Sequence, residues 1–518
     1  MNTEEVPINK WLIALTVMLG TIMSALDTSI VNVALPYMRG NLGASVEEIT
    51  WVASGYILST VIIMPAIAFL SGRFGRKRFY LFSIILFTLS SMLCGFAWDL
   101  NSLIIFRILQ GIGGGALMPI SQAILRETFP PQQQGLAMGI YGAGVVIGPA
   151  IGPAIGGWLT DNLSWPWIFF INFPIGVLNL WMAGSYIKDP SYLVREKGKV
   201  DWLGLGLMTL GFIAMQLVFE KGNDKGWFES GFIVRFSIIA VVAMGLFTWR
   251  ELVAAKPAVN LRLFKDVNFT VGTLIGAVFG LCLYSTLFLQ PLFLQQAGYS
   301  AYEAGMILIP RSLVMAISMP LAGHLYNRLG PRWIIWIGLV ITVLSYYQFA
   351  HLTPQTSGAD LFVPQLFQGT GFGLIFVALS TAVLSTIQKP LMTAAVGLYN
   401  VIRQVFGSIG IAIAATLLTQ GQANYRGSLI THVTSYNEHT THWLNSLTAA
   451  MRHAGKDPYT AHQAALGLMS AQVDRQAEVL SFNYVFSLMA IVFALSMLMV
   501  FSFKDTTGKA EQGAVVEM

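Results

Sequence analysis

A single acidic residue, Asp27, lies deep in the first long apolar segment, which runs from Trp11 to Leu35. The segment is long enough to cross a bilayer, since a spanning helix needs about 20 predominantly apolar residues. A carboxylate at the centre of such a helix costs about 2.5–3.5 kcal/mol on insertion scales, so it faces protein or water and commonly serves an ion or a substrate. The sequence therefore predicts a membrane transporter with Asp27 as its candidate proton site.

A basic partner is available in the fourth apolar segment, where Arg107 lies at a similar depth. At about 1.5 Å of rise per residue, Asp27 and Arg107 lie about 12 Å and about 9 Å below the same membrane surface. A carboxyl group in a partly dry cavity has its pKa raised by desolvation, and a nearby guanidinium lowers it. A conformational change that alters this balance would bind a proton on one side and release it on the other. The alternatives are structural: Asp27 anchors a neighbouring helix, and Arg107 pairs with backbone carbonyls or with Gln110.

Two further arginines, Arg311 and Arg403, fall inside apolar segments of the second half and have no acidic partner near them in the sequence. Asn400 precedes Arg403 by about one helical turn, so the two side chains share a face. Because an intramembrane charge is costly and rarely idle, we expect these residues and Gln110 to line a substrate cavity. Pairing with backbone groups is the alternative.

The composition restricts the class of protein. Of the 518 residues, 55% are hydrophobic and 11% are charged, whereas soluble domains are about 25% charged. The net charge of +5 comes from basic residues in short loops, so nucleic acid is not an expected partner. The glycine run at 111–115 lies inside an apolar segment with no preceding strand, which excludes a nucleotide-binding loop. We therefore expect no enzyme activity, no metal and no cofactor, with an ion gradient as the energy source.

Fourteen apolar segments predict an all-α membrane protein. They group as six helices in residues 1–200, two inserted helices in 201–259 and six helices in 260–518. The last group contains a polar stretch, 420–480, between the final two spans. The predicted helices lie near 11–34, 51–70, 79–97, 102–125, 136–158, 167–187, 201–219, 231–251, 268–290, 303–324, 333–351, 362–386, 397–418 and 481–503.

Lysine and arginine are distributed unevenly between the two sides. With the N-terminus inside, the short inner loops hold most of them, and the short outer loops hold only Arg39, Lys221 and Lys225. This asymmetry predicts that both termini are cytoplasmic and that residues 420–480 lie outside. His439 and His442 in that stretch form only a weak metal-binding pattern. A polar extracytoplasmic helical segment is the better prediction.

Two motifs recur at nearly constant separation, which indicates an internal repeat. Arg73-x-Gly75 matches Arg328-x-Gly330, and the run at 110–115 matches the run at 368–373, each reading Gln-Gly-x-Gly-x-Gly. Two homologous six-helix halves are expected, with a binding site at their interface near the bilayer midplane. The repeat places Gln365 opposite Arg107 and an apolar stretch opposite Asp27. The predicted proton-binding groups are therefore confined to the first half.

These motifs resemble the major facilitator superfamily, and in particular its fourteen-span drug:proton antiporters of the EmrB/QacA type. The first segment carries LDTSIVNVALP at 26–36, and the fourth carries Arg107-x-x-Gln110-Gly111. The resemblance covers essentially the whole chain and implies a major facilitator fold with proton coupling through Asp27 and Arg107. It also implies an antiporter motif in the fifth segment, formed by Gly139, Gly148, Gly152, Pro153, Gly156 and Gly157.

The loop motif departs from the family pattern, because its usual aspartate before the arginine is Gly72 here and Asn327 in the second copy. The family's charge relay through that aspartate is therefore not expected. The remaining basic cluster is expected to pack on helix C-termini and anionic lipid headgroups. Its members are Arg73, Arg76, Lys77 and Arg78.

The fifth segment has glycines at 144, 148, 152 and 156, which form one smooth helix face that a neighbour can approach closely. Pro149 and Pro153 each remove a helix hydrogen bond and permit bending. Tight packing alone is one interpretation. The resemblance favours another, a pliable interface that governs leak and exchange as the halves move.

Residues and resemblance together predict a proton-coupled exporter of amphipathic or cationic compounds in a bacterial inner membrane, working by alternating access. The outer stretch 420–480 resembles that of family members that act with a periplasmic adaptor and an outer-membrane channel. Three alternatives stay open. The chain could be a dedicated exporter of one metabolite or siderophore, an uncoupled facilitator, or a membrane sensor or scaffold built on a transporter fold.

Overall fold

The structure, a computed structural model, describes residues 9–189, 201–223, 225–254, 259–434 and 436–503. The predicted domain boundary at residue 200 lies outside the described residues. So do several basic residues that supported the predicted orientation, namely Arg195, Lys197, Lys199, Lys256, Lys504 and Lys509.

Each half of the described chain is built from long apolar helices. The N-terminal half comprises α1 (Lys10–Leu42), α2 (Val46–Phe74), α3 (Arg76–Gly95), α4 (Leu100–Thr128), α5 (Pro131–Asn162) and α6 (Trp167–Tyr186). Two inserted helices follow, α7 (Trp202–Lys221) and α8 (Gly231–Val253). The C-terminal half comprises α9 (Val267–Gln296), α10 and α11 (the two parts of Ala301–Phe349), α12 (Phe362–Val383), α13 (Met392–His432), α14 (Glu438–His453) and α15 (Pro458–Val500). Short 3₁₀ helices lie at Trp227–Glu229, Leu261–Lys265 and Lys389–Leu391.

The described helices supply the fourteen predicted spans. Thirteen of them are long and apolar enough to cross a membrane, and one of these, Tyr302–Phe349, has 48 residues. That length would extend about 70 Å, more than twice the roughly 30 Å of a bilayer core. Gly330 breaks this helix with φ 76° and ψ 163°, so α10 ends and α11 begins there. The predicted all-α membrane fold is confirmed.

The internal repeat is visible in the backbone. Gly75 joins α2 to α3 with φ 89° and ψ 146°, and Gly330 joins α10 to α11 in nearly the same conformation. Glycine is required at both joints, because a side chain is strained at such positive φ values. The two matched loop motifs therefore make the same turn in each half.

The stretch 420–480 is helical, but it is mostly a continuation of the last two spans rather than a separate segment. The α13 helix has 41 residues and α15 has 43, so both extend past the predicted ends at 418 and 481. Asp457 caps the start of α15, and bonds from the side chain and backbone N–H of Thr460 lower the pKa of its carboxyl group. Arg426 and Asp474 pair at 2.5 Å between the two extended helices. We call residues 420–434, 436–457 and 458–480 the distal extension.

The two ends of the bundle are distinguished by contacts near the first and the last described residues. Lys10 donates a hydrogen bond to Gln133 at the start of α5, and Arg332 at the start of α11 donates to the carbonyl of Phe503 at 2.7 Å. We call this the terminal end, and the opposite end, which carries the distal extension, the distal end.

Candidate functional site

Asp27 and Arg107 form a buried ion pair inside the N-terminal half. Nη1 of Arg107 donates to Oδ2 of Asp27 at 2.6 Å, and the two side chains are 1% and 0% exposed. The depths predicted from helix rise placed them within reach of one another, and the structure brings them together.

Two side-chain amides donate hydrogen bonds to the other oxygen of the Asp27 carboxylate. Oδ1 of Asp27 accepts from Nε2 of Gln110 at 2.8 Å and from Nδ2 of Asn172 on α6 at 3.1 Å. Asn172 also donates to Ser91 on α3 at 3.0 Å. Asn172 and Ser91 were not among the predicted site residues. In the sequence they are single polar residues within apolar spans. Such residues are common and form no motif with a recognisable spacing.

The guanidinium of Arg107 is held in place by α2 as well. Its Nε donates to the carbonyl of Val52 at 2.9 Å, and its plane lies 4.3 Å from the ring centroid of Tyr56. Its Nη1 also donates to Oε1 of Gln110 at 2.7 Å. The backbone and Gln110 contacts considered as a structural alternative are therefore present together with the ion pair. The opposite charges of Asp27 and Arg107 compensate one another at the centre of the network.

A second polar cluster joins the two halves. Asn400 on α13 donates to Gln122 on α4 at 2.8 Å, and Arg403 donates to Oδ1 of Asn400 at 2.8 Å. The Arg403 guanidinium lies 5.2 Å from the ring centroid of Phe376 on α12. Asn400 and Arg403 share a face, as predicted, and Gln122 is the partner that the sequence did not reveal.

Arg311 forms a separate cluster within the C-terminal half. Its Nη1 donates to Oε1 of Gln290 on α9 at 2.6 Å, and Nε2 of Gln290 donates to Oε1 of Gln368 on α12 at 2.9 Å. The structure therefore does not bring Arg311 into one site with Asn400 and Arg403.

The antiporter motif contacts two different neighbours. A Cβ atom on Gly148 would lie 2.9 Å from the backbone nitrogen of Leu26, and one on Gly152 would lie 2.8 Å from Oγ of Ser29. Gly144 and Gly156 also face α1, through Met18 and Ile30. The predicted close approach is present, but its partner is α1 of the same half. The expectation of a pliable interface that governs leak and exchange stays a prediction.

The contact between halves uses the first turns of α5 instead. A Cβ atom on Gly139 would lie 2.5 Å from the carbonyl oxygen of Met319 on α10. Gly135 and Gly323 meet backbone to backbone nearby, and Gly157 has no heavy atom within 4 Å of its Cβ position. The five glycines of the motif therefore divide into one at the interface of the halves, three against α1 and one in open space.

Pro153 explains a further contact between α1 and α5. Proline has no N–H, so the carbonyl of Pro149 one turn earlier lacks its helical donor. The hydroxyl of Ser29 donates to that carbonyl at 3.2 Å. The proline thus creates an acceptor that ties α5 to α1 two residues from Asp27.

The basic residues of the first loop motif make different contacts from one another. Lys77 donates to the carbonyl of Gly184 at 2.6 Å, near the C-terminal end of α6, as expected for this cluster. Arg76 is instead buried, pairs with Glu127 at the end of α4 and donates to Thr393 of the other half at 2.9 Å. The expectation that Arg76 contacts lipid headgroups is wrong, because Arg76 is buried against Glu127. Glu127 is distant in the sequence, so the loop motif alone did not reveal this partner. Arg73 and Arg328 are exposed.

Within the described residues, no three His, Cys, Asp or Glu side chains lie close enough to bind a metal ion. Cys94 and Cys282 are both buried and unpaired.

Two repeated six-helix halves with buried charges at their centres define the class of membrane transporters. The chain belongs to the Major Facilitator Superfamily, whose family model matches residues 17–411. The predicted resemblance is thereby confirmed, and the protein is an integral membrane transporter rather than an enzyme.

Individual relatives are similar to this chain over most of its length. The chain is 32% identical to the fatty acid resistance protein FarB of Neisseria gonorrhoeae, over 93% of each chain. It is 34% identical to the multidrug export protein EmrB of Haemophilus influenzae, over 82% of this chain and 84% of the relative. A crystal structure of a double tryptophan mutant of XylE shares the fold, with a TM-score of 0.64, 14% identity and 98% of each chain covered.

Proposed function

We propose that this protein exports amphipathic compounds from the cytoplasm in exchange for protons, across a bacterial inner membrane. The relatives named for multidrug export and for fatty acid resistance support this substrate range. The observation that carries the coupling is the buried network in which Arg107, Gln110 and Asn172 all donate to Asp27. A dedicated exporter of one metabolite is the alternative within the same class.

The network surrounds the Asp27 carboxylate with hydrogen-bond donors. An ionised carboxylate only accepts hydrogen bonds, and here every partner is a donor, one of them a guanidinium. If movement of α1 against α4 withdraws Arg107, the carboxylate is left in a dry interior that favours its neutral, protonated form. Proton binding and release would then follow the conformational cycle. A cationic substrate could compete with the proton for the same charge.

The contacts between halves indicate which side is closed. Gly135 meets Gly323, Asn327 donates to the carbonyl of Gln132, and Arg76 donates to Thr393, all toward the terminal end. Toward the distal end, Thr28 and Asn32 are exposed on α1. Polar side chains avoid lipid, so these two are placed best in a water-filled cleft.

The positive-inside rule favours a cytoplasmic terminal end. The conformation is then outward-facing, with its inner gate closed. The cluster of Gln122, Asn400 and Arg403 lies where the halves meet. In the inward-facing state, separation of the halves would uncover these groups to a substrate from the cytoplasm.

The experiment that tests the function is transport in proteoliposomes with an imposed pH gradient. The wild type should move a fluorescent amphipathic dye only while the gradient lasts, and a protonophore should abolish this movement. An uncoupled facilitator would move the dye equally without a gradient. A sensor or scaffold would move none, and either result would overturn the proposal.

We also propose that the distal extension contacts a periplasmic adaptor of a tripartite pump. In support, the extension carries exposed aromatic side chains, with Tyr436 98% and Tyr459 74% exposed. Pull-down from a double-membraned host should recover an adaptor with the full chain. The variant Tyr436→Ser with Tyr459→Ser should recover less. Equal recovery by both, or recovery of no adaptor at all, would contradict this proposal.

A further inference from the structure

The two halves place equivalent residues around a polar centre, although only the first half contains a carboxylate there. Gly111 packs on the backbone of Tyr56, and Gly369 packs in the same way on the backbone of Arg311. Arg311 therefore takes the place of Tyr56 in the second half. The repeat likewise puts Gln365 in the place of Arg107 and Gln368 in the place of Gln110.

The charges of the two centres differ. In the first half the guanidinium of Arg107 is neutralised by Asp27. In the second half the guanidinium of Arg311 is only 8% exposed, and its side-chain hydrogen bond goes to the neutral amide of Gln290. Within the described residues, no acidic side chain forms an ion pair with Arg311. A buried cation without an anion is costly, so an anion from outside the chain would stabilise this centre.

The amides beside Arg311 also lack partners. Gln365 is 0% exposed, and neither its Nε2 nor its Oε1 has a hydrogen-bond partner. Nε2 of Gln368 is likewise buried and unbonded. A buried polar atom without a partner costs about 1–3 kcal/mol. The centre thus offers unused donors to a ligand that accepts hydrogen bonds.

A small cavity borders this centre at Gln290 and Gln365, whereas Arg311 and Gln368 do not line it. It has a volume of about 10 Å³, which is room for one water-sized group such as a carboxylate oxygen. Gln290 and Gln365 supply its polar wall. The rest of its lining is apolar and includes Phe293, Leu308, Phe349 and Phe486.

We propose that Arg311, Gln290, Gln365 and Gln368 bind the carboxylate of an amphipathic acid in a conformation in which the cavity beside them is wider, with the hydrocarbon part against its apolar lining. This assignment rests on the proposed export function and names a substrate class for the second half. A guanidinium and amide N–H groups are the donors that recognise a carboxylate. Anionic substrates would then bind in the C-terminal half, whereas cationic ones compete at Asp27.

The test is equilibrium binding of radiolabelled decanoate to the purified full-length protein in detergent, with decyltrimethylammonium as a cationic probe of equal chain length. Arg311→Gln should weaken decanoate binding about tenfold or more and leave binding of the cation unchanged. Gln365→Glu keeps the side-chain volume and supplies an internal carboxylate to Arg311. It should weaken decanoate binding to a similar extent. Methyl decanoate, which is uncharged, should not compete with decanoate in the wild type.

Three results would overturn the assignment. Wild-type protein that binds no decanoate, variants with unchanged decanoate affinity, or an equal loss of both probes would each do so. The last result would indicate a purely structural arginine. Because binding is measured without a pH gradient, failure of proton-driven dye transport would count against the proposed function alone.

Discussion

Arg107 donates to one oxygen of Asp27 at 2.6 Å, with both side chains essentially excluded from solvent. The pair joins α1 to α4, and Asn172 adds α6 through the second oxygen. The ionisation of one carboxylate is therefore linked to the relative positions of three helices. This link is the reason why we propose Asp27 as the coupling residue.

Asp27 and Arg107 should stabilise the protein only when both charges are present. Arg107→Gln leaves an uncompensated buried carboxylate and should destabilise the protein by about 3–5 kcal/mol. The double variant, with Asp27→Asn added, should recover much of that loss because the charge is gone. Thermal unfolding of the purified variants in detergent measures both effects.

A matched control is the exposed pair of Arg426 and Asp474, whose side chains are 49% and 44% exposed. Arg426→Gln should change stability by about 0–1 kcal/mol, as surface pairs do. A double variant as unstable as Arg107→Gln alone would show that charge compensation is not what the pair provides.

The backbone contact of Gly135 with Gly323 should hold the inner gate closed. A Cβ atom on Gly323 would overlap the carbonyl of Gly135, so Gly323→Ala should force α5 and α10 apart. Met319, now fully buried between these helices, reports the change as Met319→Cys in a background without Cys94 and Cys282. Its reaction with a polar maleimide should be several-fold faster in Gly323→Ala.

Gly305 provides the control on the same helix, since a Cβ atom there meets no heavy atom within 4 Å. Gly305→Ala should leave the reaction rate unchanged. If the two alanine variants react alike, the gate does not depend on the glycine contact.

Alanine substitutions in the antiporter motif should have different effects on transport, depending on what each glycine contacts. Gly148→Ala would press on the backbone of Leu26, one residue from Asp27, and should displace the proton site. Gly157→Ala adds a methyl group in open space and should behave as wild type. Gradient-driven dye transport in proteoliposomes should fall severalfold in the first variant only. Equal losses would indicate that the motif acts through helix flexibility and not through contact with α1.

The sequence predicted the charged residues of the site but not the residues that they contact. Asp27 and Arg107 could be placed at one depth, because helix rise and the edges of apolar segments set depth directly. The contacts of Asn172 and Gln122 depend on how helices rotate against one another, which no local spacing encodes. Hydropathy marks where a helix crosses the membrane and not where it ends, which is why the lengths of α13 and α15 were underestimated. The glycine face of α5 predicted a close neighbour without identifying it as α1.

The most direct measurement of the central claim is proton release when a substrate is added to the detergent-solubilised protein at low buffering capacity. Wild-type protein should release protons, and Asp27→Asn should release none while remaining folded. Asp474→Asn, an exposed aspartate in the distal extension, should release protons as wild type does. Unchanged substrate-driven release from Asp27→Asn would contradict the assignment of Asp27 as the proton carrier.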